Sequence, residues 1–459
     1  MSIQFDSIII GAGQAGPPLA GRLTQAGQRV ALIERHLFGG TCVNTGCIPT
    51  KALVASAYAA HMARRADEFG ITISGTVTAD MVAVKARMKA ISGKSRVGVE
   101  NWLRGMKNCT VYQDHAHFLS NNEVRVGNET LTAERIFINV GGRAAVPDMP
   151  GVGHVPFLVN STMLELDVLP SHLVVIGGSY VGLEFAQVYR RFGSEVTVVE
   201  MKSRLVQRED FDVSDAIKEI LESEGIHLRL DAECIALSSR GGDIQVSVNC
   251  AVGEPEISGS HVLLAVGRRP NTDDLGLENA GVAVDSRGYI IVDDQLRTNV
   301  PGIWAMGDCN GRGAFTHTSY NDFEIVAANL LDNDPRRVSD RIQAHALYID
   351  PPLGQIGMTE TEVRQAGRAA LIGLRPMTRV GRAVEKGETK GFMKVVVDSA
   401  SKKILGASIL GTGGDEAIHC ILDIMYAGAP FTTIQRAMHI HPTVSELIPT
   451  MLGELKPLV

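Results

Sequence analysis

The feature that most constrains the fold of this chain is an internal repeat. Residues 6–34 and 172–200 align without a gap. Each copy consists of an apolar run, a glycine-rich turn, an amphipathic stretch and a second apolar run that ends in glutamate, which predicts two β-α-β units and an α/β fold. The recurring positions are Ile10, Gly11, Gly16, Ala20, Gly27, Val30 and Glu34, matched by Ile176, Gly177, Gly182, Ala186, Gly193, Val196 and Glu200.

The glycine spacing within each copy is typical of a unit that binds a dinucleotide. The first glycine allows a tight turn, the second lets the backbone approach a pyrophosphate, and the third allows close packing of helix on strand. The closing glutamate lies where a carboxylate can bond the ribose hydroxyls. Two copies therefore predict two bound dinucleotides. The residues assigned to these roles are Gly11, Gly13, Gly16 and Glu34 in the first copy and Gly177, Ser179, Gly182 and Glu200 in the second, where serine replaces the middle glycine.

The length and texture of the chain predict several domains. A chain of 459 residues is too long for one ordinary core. Glycine- and proline-rich loops at 139–151 and 265–276 flank the second unit, and the pattern changes again near residue 340. Residues 391–411 then predict a β-hairpin, and 415–428 and 444–453 predict helices, so the C-terminal part is expected to be a separate α+β domain.

Composition excludes some classes of partner. Apolar residues make up 45% and the formal net charge is −7, which suits a globular protein and gives no basic face for nucleic acid or an anionic membrane. No apolar run approaches the roughly 20 residues needed to span a bilayer. The N-terminal MSIQFDSIIIGAG lacks a basic region typical of a signal peptide. Together with seven cysteines, a modest and odd number, this predicts a cytoplasmic protein.

The segment GGTCVNTGCIPTK, at 39–51, places two cysteines at positions 42 and 47 before a predicted helix. By spacing alone, this pair is a redox disulfide, half of a metal site, or two inert thiols. A thiolate near a helix N-terminus has a lowered pKa, which makes it usable at neutral pH, but for this spacing taken alone two inert thiols are the favoured interpretation. Zinc needs four ligands, and no second pair supplies them, so no metal site is expected. The other cysteines are predicted to be buried apolar residues: Cys109, Cys234, Cys250, Cys309 and Cys420.

Six motifs occur in the order GAGQAG, GGTCVNTGCIPTK, GGSYVGLE, AVGRRPNT, AMGDC and HIHPTVSE. On these motifs, the chain resembles the pyridine nucleotide-disulfide oxidoreductases, flavoproteins that include dihydrolipoamide dehydrogenase and mercuric reductase. The resemblance implies two Rossmann-like dinucleotide-binding domains and an α+β dimerisation domain. It implies FAD binding by residues 1–148 and 269–338, NAD(P) binding by 149–268, and dimerisation by 339–459.

The resemblance also implies catalytic roles. Cys42 and Cys47 would form a disulfide, with Cys47 next to the flavin and Cys42 exchanging with substrate. His441 would be the general acid–base. The family architecture implies that it comes from the other subunit of a homodimer. The remaining matches are Glu446, which would orient that histidine, and Lys51 with Glu184, which would pair beside the flavin.

Further positions match cofactor contacts of the family. Tyr180 lies where several relatives keep an aromatic lid over the nicotinamide, and Asp308 matches the carboxylate that bonds the FAD ribityl chain. The other expected contacts to FAD or the nicotinamide nucleotide are Thr41, Lys51, Ala116, Gly141 and Gly267.

The function implied is an FAD-dependent NAD(P)H:disulfide oxidoreductase with a small-molecule disulfide or dithiol as substrate. One alternative is a reductase of a metal ion, quinone or reactive oxidant, similar to mercuric reductase but without a terminal cysteine pair. Another is an assembly subunit of a 2-oxo acid dehydrogenase complex. Glu200 favours NADH, because a carboxylate repels a 2′-phosphate. Lys202, Arg204 and Arg208 follow it and leave NADPH open.

Overall fold

The first repeat copy lies at the centre of a parallel sheet. The computed structural model describes residues 2–249 and 253–458. The sheet has five strands, all parallel, and the two strands of the repeat are neighbours within it. Because both faces are covered, these strands are almost wholly apolar and buried. In spatial order they are Ile303–Ala305, Arg135–Ile138, Ser7–Ile10, Val30–Ile33 and Cys109–Tyr112.

Helices and a second, mixed sheet complete this region. The helix Cys47–Arg64 carries the alanine-rich stretch and, as predicted, begins next to the cysteine pair. The other α-helices of the region are Gly16–Gln25, Gly40–Asn44, Met81–Gly105, Leu277–Ala280 and Thr316–Ala327. The strands of the second sheet, in spatial order, are Ser2–Gln4, Glu129–Thr132, Glu123–Val126 and Ala116–Phe118.

The second repeat copy forms its own parallel sheet. Its strands in spatial order are His227–Arg229, Glu195–Val199, His172–Ile176 and His261–Leu264. An antiparallel meander, Glu233–Arg240, Asp243–Asn249 and Glu256–Gly259, accompanies it. The helices of this part are Asn160–Met163, Tyr180–Phe192 and Phe211–Ser223.

The two copies share the same glycine geometry. Gly11 and Gly177 have φ of +108° and +115°. A Cβ on Gly11 would lie 2.2 Å from the carbonyl oxygen of Asn139, and a Cβ on Gly177 would lie 2.4 Å from that of Ala265. A Cβ on Gly16 or Gly182 would lie 2.2 or 2.0 Å from the carbonyl oxygen of that first glycine. Only glycine fits at these positions. The prediction of two Rossmann-like units is therefore confirmed.

The two chain segments that connect the first repeat unit to the second pair with each other. Gly142–Ala144, in the outgoing loop, pairs antiparallel with Arg268–Pro270, in the returning loop. The second unit is thus attached to the first by a two-stranded ribbon. The predicted boundaries at 148, 268 and 338 stay predictions.

The C-terminal part is built on an antiparallel sheet, as the predicted α+β class requires. Its strands in spatial order are Ala344–Leu347, Leu353–Gly357, Ile404–Leu410, Phe392–Asp398, Ala370–Pro376 and Lys456–Pro457. The predicted hairpin is confirmed by pairing of the third and fourth of these strands. The α-helices are Glu360–Gln365, Gly381–Glu385, Gly414–Ala417, His419–Tyr426, Thr432–Gln435 and Leu447–Leu452.

The predicted helices in the C-terminal part are shorter than expected. The first is divided at Ile418, although this residue keeps helical backbone angles of −63° and −26°. The second begins only at Leu447. Among the described residues, no helix is long and apolar enough to cross a membrane.

A buried lysine joins the C-terminal sheet to the second unit. Lys394 is only 2% exposed, and its Nζ lies 2.9 Å from Asp210 Oδ2 and 2.7 Å from Asp212 Oδ1. Glu360 Oε2 is 3.4 Å from the same nitrogen. The charge of the lysine is thus compensated within the protein, as a buried charge requires.

Candidate active site

A large cavity lies at the glycine loop of the first repeat copy. Its volume is about 1140 Å³, enough for a dinucleotide. The predicted residues of the first copy that line it are Gly11, Gly13 and Glu34. Thr41, Ala116 and Gly141 line it as well. A Cβ on Gly13 would lie 3.0 Å from Asn139 Oδ1, so a side chain at this position would have to displace Asn139.

The glutamates that close the two repeat copies have equivalent hydrogen bonds. Glu34 Oε2 accepts from the backbone N–H of Ala12 at 2.9 Å, and Glu200 Oε2 accepts from Gly178 at 2.7 Å. Each second oxygen accepts from the N–H two residues further on, at 2.8 and 2.9 Å. Both carboxylates are therefore fixed against their glycine loops, with lone pairs left for a hydroxyl group.

The cysteine pair lies on the cavity wall at a helix start. Cys47 is the first residue of its helix, and Cys42 belongs to the short helix before it. Both are free thiols in this structure, so the predicted disulfide stays a prediction for the oxidised protein. A hydrogen bond from Cys42, with smaller contributions from Thr316 and Lys51, lowers the pKa of Cys47 to about 6. The same hydrogen bond, together with burial, raises the pKa of Cys42.

At neutral pH the pair therefore holds one proton, with Cys47 as thiolate and Cys42 as thiol. The unpaired N–H groups at the start of the Cys47 helix also favour a negative sulfur. This division of charge suits the two roles predicted for the cysteines.

Lys51 and Glu184 are paired on the same cavity wall. Lys51 Nζ donates to Glu184 Oε1 and Oε2 at 2.9 and 2.7 Å, and Glu184 is almost fully buried. The carboxylate also accepts from the backbone N–H of Tyr348 at 3.1 Å. The lysine lies one helical turn after Cys47, so its charge is held close to the reactive sulfur.

Asp308 follows the strand Ile303–Ala305 and lines the cavity. Burial raises the pKa of its carboxyl group, and the Arg268 guanidinium, 3.5 Å away, opposes that shift. A buried carboxyl of this kind can bond the hydroxyl groups of a bound sugar or polyol.

Tyr180 lines the cavity at a junction of three parts of the chain. It begins the helix of the second repeat copy, and its hydroxyl donates to the buried Glu209 at 2.5 Å. His345, in the C-terminal sheet, bonds the same Oε1 at 2.7 Å. Phe315 packs edge-on against Tyr180 and stacks on His345. Burial, together with the Glu209 carboxylate, raises the pKa of Tyr180, so the ring stays a neutral donor.

His441 and Glu446 contact each other but do not line the cavity. His441 Nδ1 lies 2.9 Å from Glu446 Oε2, and the imidazole is 81% exposed. The residues predicted to bind the nicotinamide nucleotide, apart from Tyr180, also lie outside the cavity lining, near the second parallel sheet. They are Gly177, Ser179, Gly182, Glu200 and Gly267. Within one copy of the chain, the structure thus brings together the cysteines, Lys51 and the first glycine loop, but not the histidine.

Several residues at the site carried no signal in the sequence. Thr316, Phe315 and His317 line the cavity after the AMGDC motif, and Glu209 and His345 position Tyr180. None belongs to a motif identified above.

The other cysteines only partly follow the prediction. Cys309 is buried, whereas Cys109 and Cys420 are partly exposed, because they lie at an edge strand and near a helix start. The side chain of Cys234 and the whole of Cys250 lie outside the described residues. Within the described part of the chain, no three His, Cys, Asp or Glu side chains are grouped as metal ligands would be.

Comparisons with known proteins agree with this architecture. A family model described as pyridine nucleotide-disulphide oxidoreductase matches residues 5–322, and one for the dimerisation domain of the same group matches residues 343–452. The chain is 36% identical over 461 residues to the probable pyridine nucleotide-disulfide oxidoreductase RclA of Escherichia coli K12, covering 99% of this chain and 100% of that protein.

Two further matches are of the same kind. Dihydrolipoyl dehydrogenase of Chlamydia muridarum is 32% identical over 452 residues, covering 97% of this chain and 96% of that protein. A solved structure described as the Cu(II) complex of the HOCl-induced flavoprotein disulfide reductase RclA from Escherichia coli superimposes with a TM-score of 0.89. It is 35% identical and covers 98% of this chain and 99% of that one.

Proposed function

Because the chain belongs to the pyridine nucleotide-disulphide oxidoreductases, flavoprotein enzymes that act on sulfur groups with NAD(P)H, we propose a path for its electrons. They pass from NAD(P)H through FAD to the Cys42–Cys47 disulfide, and then to a small-molecule disulfide. With a dithiol substrate the direction is reversed.

One observation carries this proposal. A single cavity contains the first glycine loop, both cysteines, the Lys51–Glu184 pair and Tyr180 from the second repeat copy. FAD, when bound, supplies the two-electron carrier between the nicotinamide and the cysteine pair. FAD would be bound by the first glycine loop together with Glu34 and Asp308.

The cysteines then divide the exchange chemistry between them. His441, from a second copy of the chain, removes the Cys42 proton, and the Cys42 thiolate attacks one sulfur of the substrate disulfide. The substrate S–S bond breaks, a mixed disulfide forms, and the leaving thiolate takes the proton from His441. Cys47 then attacks the Cys42 sulfur and releases the second thiolate, which takes a proton from solvent. The pair loses two electrons, and one substrate disulfide becomes two thiols.

For the nicotinamide nucleotide, our proposal is NADH. Glu200 is fixed at the end of its strand by two backbone N–H groups, where it would accept the ribose hydroxyls. Arg204, one of the guanidinium candidates for a 2′-phosphate, stacks on Phe211 at 3.9 Å and donates to Gln207 O. These contacts engage part of the guanidinium within the protein, although its Nη1 has no hydrogen-bond partner.

A homodimer in the cytoplasm completes the proposal. His441 is exposed and Glu446 is half-buried, neither lines the cavity of its own chain, and a second copy would bring them to its cysteines.

A second candidate is the reduction of a metal ion or reactive oxidant. A similar structure is described as a Cu(II) complex of an HOCl-induced reductase. In this chain, Cys42 and Cys47 place two soft sulfur ligands on the cavity wall, a set that suits Cu(I). Copper would be a substrate here, reduced at the cysteine pair.

The test is an anaerobic titration with NADH and with NADPH, followed by turnover with a panel of disulfides and with Cu(II). We expect NADH to produce a long-wavelength thiolate–flavin band and to support disulfide turnover. Cys42→Ser should abolish that turnover while NADH still reduces the flavin. Disulfide reduction by Cys42→Ser would contradict the first candidate. Cu(II) turnover that outpaces every disulfide would favour the second.

A further inference from the structure

The first residues of two helices lie beside each other at the sulfur atom of Cys47. One is its own helix, Cys47–Arg64, and the other is Thr316–Ala327, which begins 269 residues later in the sequence. The first residue of that second helix brings its hydroxyl oxygen, Thr316 Oγ1, to 3.0 Å from Cys47 Sγ. Both residues line the cavity.

The direction of this hydrogen bond follows from the charge on the sulfur. A thiolate has no proton to give, so the hydroxyl of Thr316 must donate to it. The hydroxyl of Thr316 faces both sulfurs of the pair, and of the two the Cys47 thiolate is the stronger acceptor, because it carries the charge.

Cys47 has two side-chain hydrogen-bond donors, and one of them is lost during the exchange proposed above. While Cys42 is a thiol, its S–H donates to Cys47. Once the Cys42 sulfur is bonded to substrate, it has no proton. Thr316 is then the side-chain hydroxyl that stays on the thiolate until Cys47 attacks.

We propose that Thr316 is a catalytic residue whose hydroxyl donates to the Cys47 thiolate and holds the charge there while Cys42 is bonded to substrate. This inference rests on the proposed electron path, but the contact itself can be tested without turnover. A hydrogen bond to a charged group contributes enough to move the titration of the sulfur by about one pH unit.

The test uses Cys42→Ala, which removes the competing donor and leaves Cys47 as the thiol of the pair. In this background the pKa of Cys47 is measured with and without Thr316→Val. Two readouts are used: the pH dependence of the thiolate–flavin band, and the pH dependence of alkylation of Cys47 followed by mass spectrometry. Thr316→Val should raise the measured pKa by about one pH unit, and Thr316→Ser should restore it.

The matched control is Thr432→Val, which makes the same change at the first residue of another helix, away from the cavity lining. It should leave the titration of Cys47 unchanged. Equal pKa values with and without Thr316→Val would overturn the proposal. So would failure of Thr316→Ser to restore the pKa, since the effect would then be steric. If the pKa shift is found but wild-type enzyme reduces no disulfide, it is the proposed function that fails.

Discussion

At the scale of single residues, the candidate site separates two chemically identical side chains. Cys42 and Cys47 are both half-buried thiols on one cavity wall. Thr316 and Lys51 act on both sulfurs, but Cys47 is the first residue of a helix and accepts the hydrogen bond from Cys42, whereas that bond and burial keep the proton on Cys42. The environment therefore assigns the charge to one sulfur and the proton to the other.

This asymmetry predicts a pH dependence. The folded pKa of Cys47, about 6, lies below its ordinary value, so the thiolate is present above that pH and is lost as the pH falls through it. In wild-type enzyme after two-electron reduction, the thiolate–flavin band should be half-lost near pH 6, as measured by absorbance under anaerobic conditions. A band that is half-lost above pH 8 would contradict the assignment.

The Lys51–Glu184 pair predicts separate effects on stability and activity. Lys51→Met should lower the free energy of unfolding by about 2 kcal/mol, because it leaves a buried carboxylate without its partly exposed cation. The double variant Lys51→Met/Glu184→Gln should recover most of that loss in a denaturant titration. Turnover should stay low in both variants, since the positive charge near Cys47 is absent. Recovery of turnover in the double variant would show that the lysine acts only through stability.

At the scale of elements, the glycine loops predict that the two nucleotide sites can be damaged separately. A Cβ at Gly182 would lie 2.0 Å from the Gly177 carbonyl oxygen, so Gly182→Ala must push its helix away from its strand. Binding of the nicotinamide nucleotide, measured by calorimetry, should weaken at least tenfold while the purified protein keeps its flavin. Gly93→Ala, in a helix with nothing within 4 Å of the new methyl group, is the matched control. It should raise stability by up to about 1 kcal/mol.

Some helices and strands could be predicted from the sequence, and others could be predicted only in part. The repeat units, the helix after the cysteines and the C-terminal hairpin were predictable, because each depends on a local pattern of apolar residues, glycine and turn residues. The lengths of the last helices were predicted poorly, since helix ends depend on tertiary packing.

The contacts of the site that span long sequence distances could not be predicted. Thr316 meets Cys47 across 269 positions, and His345 meets Glu209 across 136. These residues follow no spacing rule relative to each other. Only the folded arrangement of three parts of the chain brings them to the cavity.

At the scale of the whole molecule, an active site shared between two subunits, as proposed above, predicts complementation between inactive variants. Cys42→Ser and His441→Gln dimers should each lack disulfide turnover. If one copy supplies the cysteines and the other the histidine, mixed dimers contain one intact site of two. Unfolding and refolding an equimolar mixture should then restore about a quarter of wild-type turnover, because half of the dimers are mixed. No recovery in a mixture shown by mass spectrometry to contain mixed dimers would contradict a shared site.

Lys394 has a consequence for how a nucleotide enters. The lysine and its carboxylates fix the second repeat unit to the C-terminal sheet, and the ribbon at Gly142–Ala144 ties the same unit to the first. Both contacts would have to break before this unit could swing open as a hinged domain. If Tyr180 covers the nicotinamide site as proposed, entry of the nicotinamide should depend on rotation of its side chain, which must first break the hydrogen bond to Glu209 and leave the Phe315 ring.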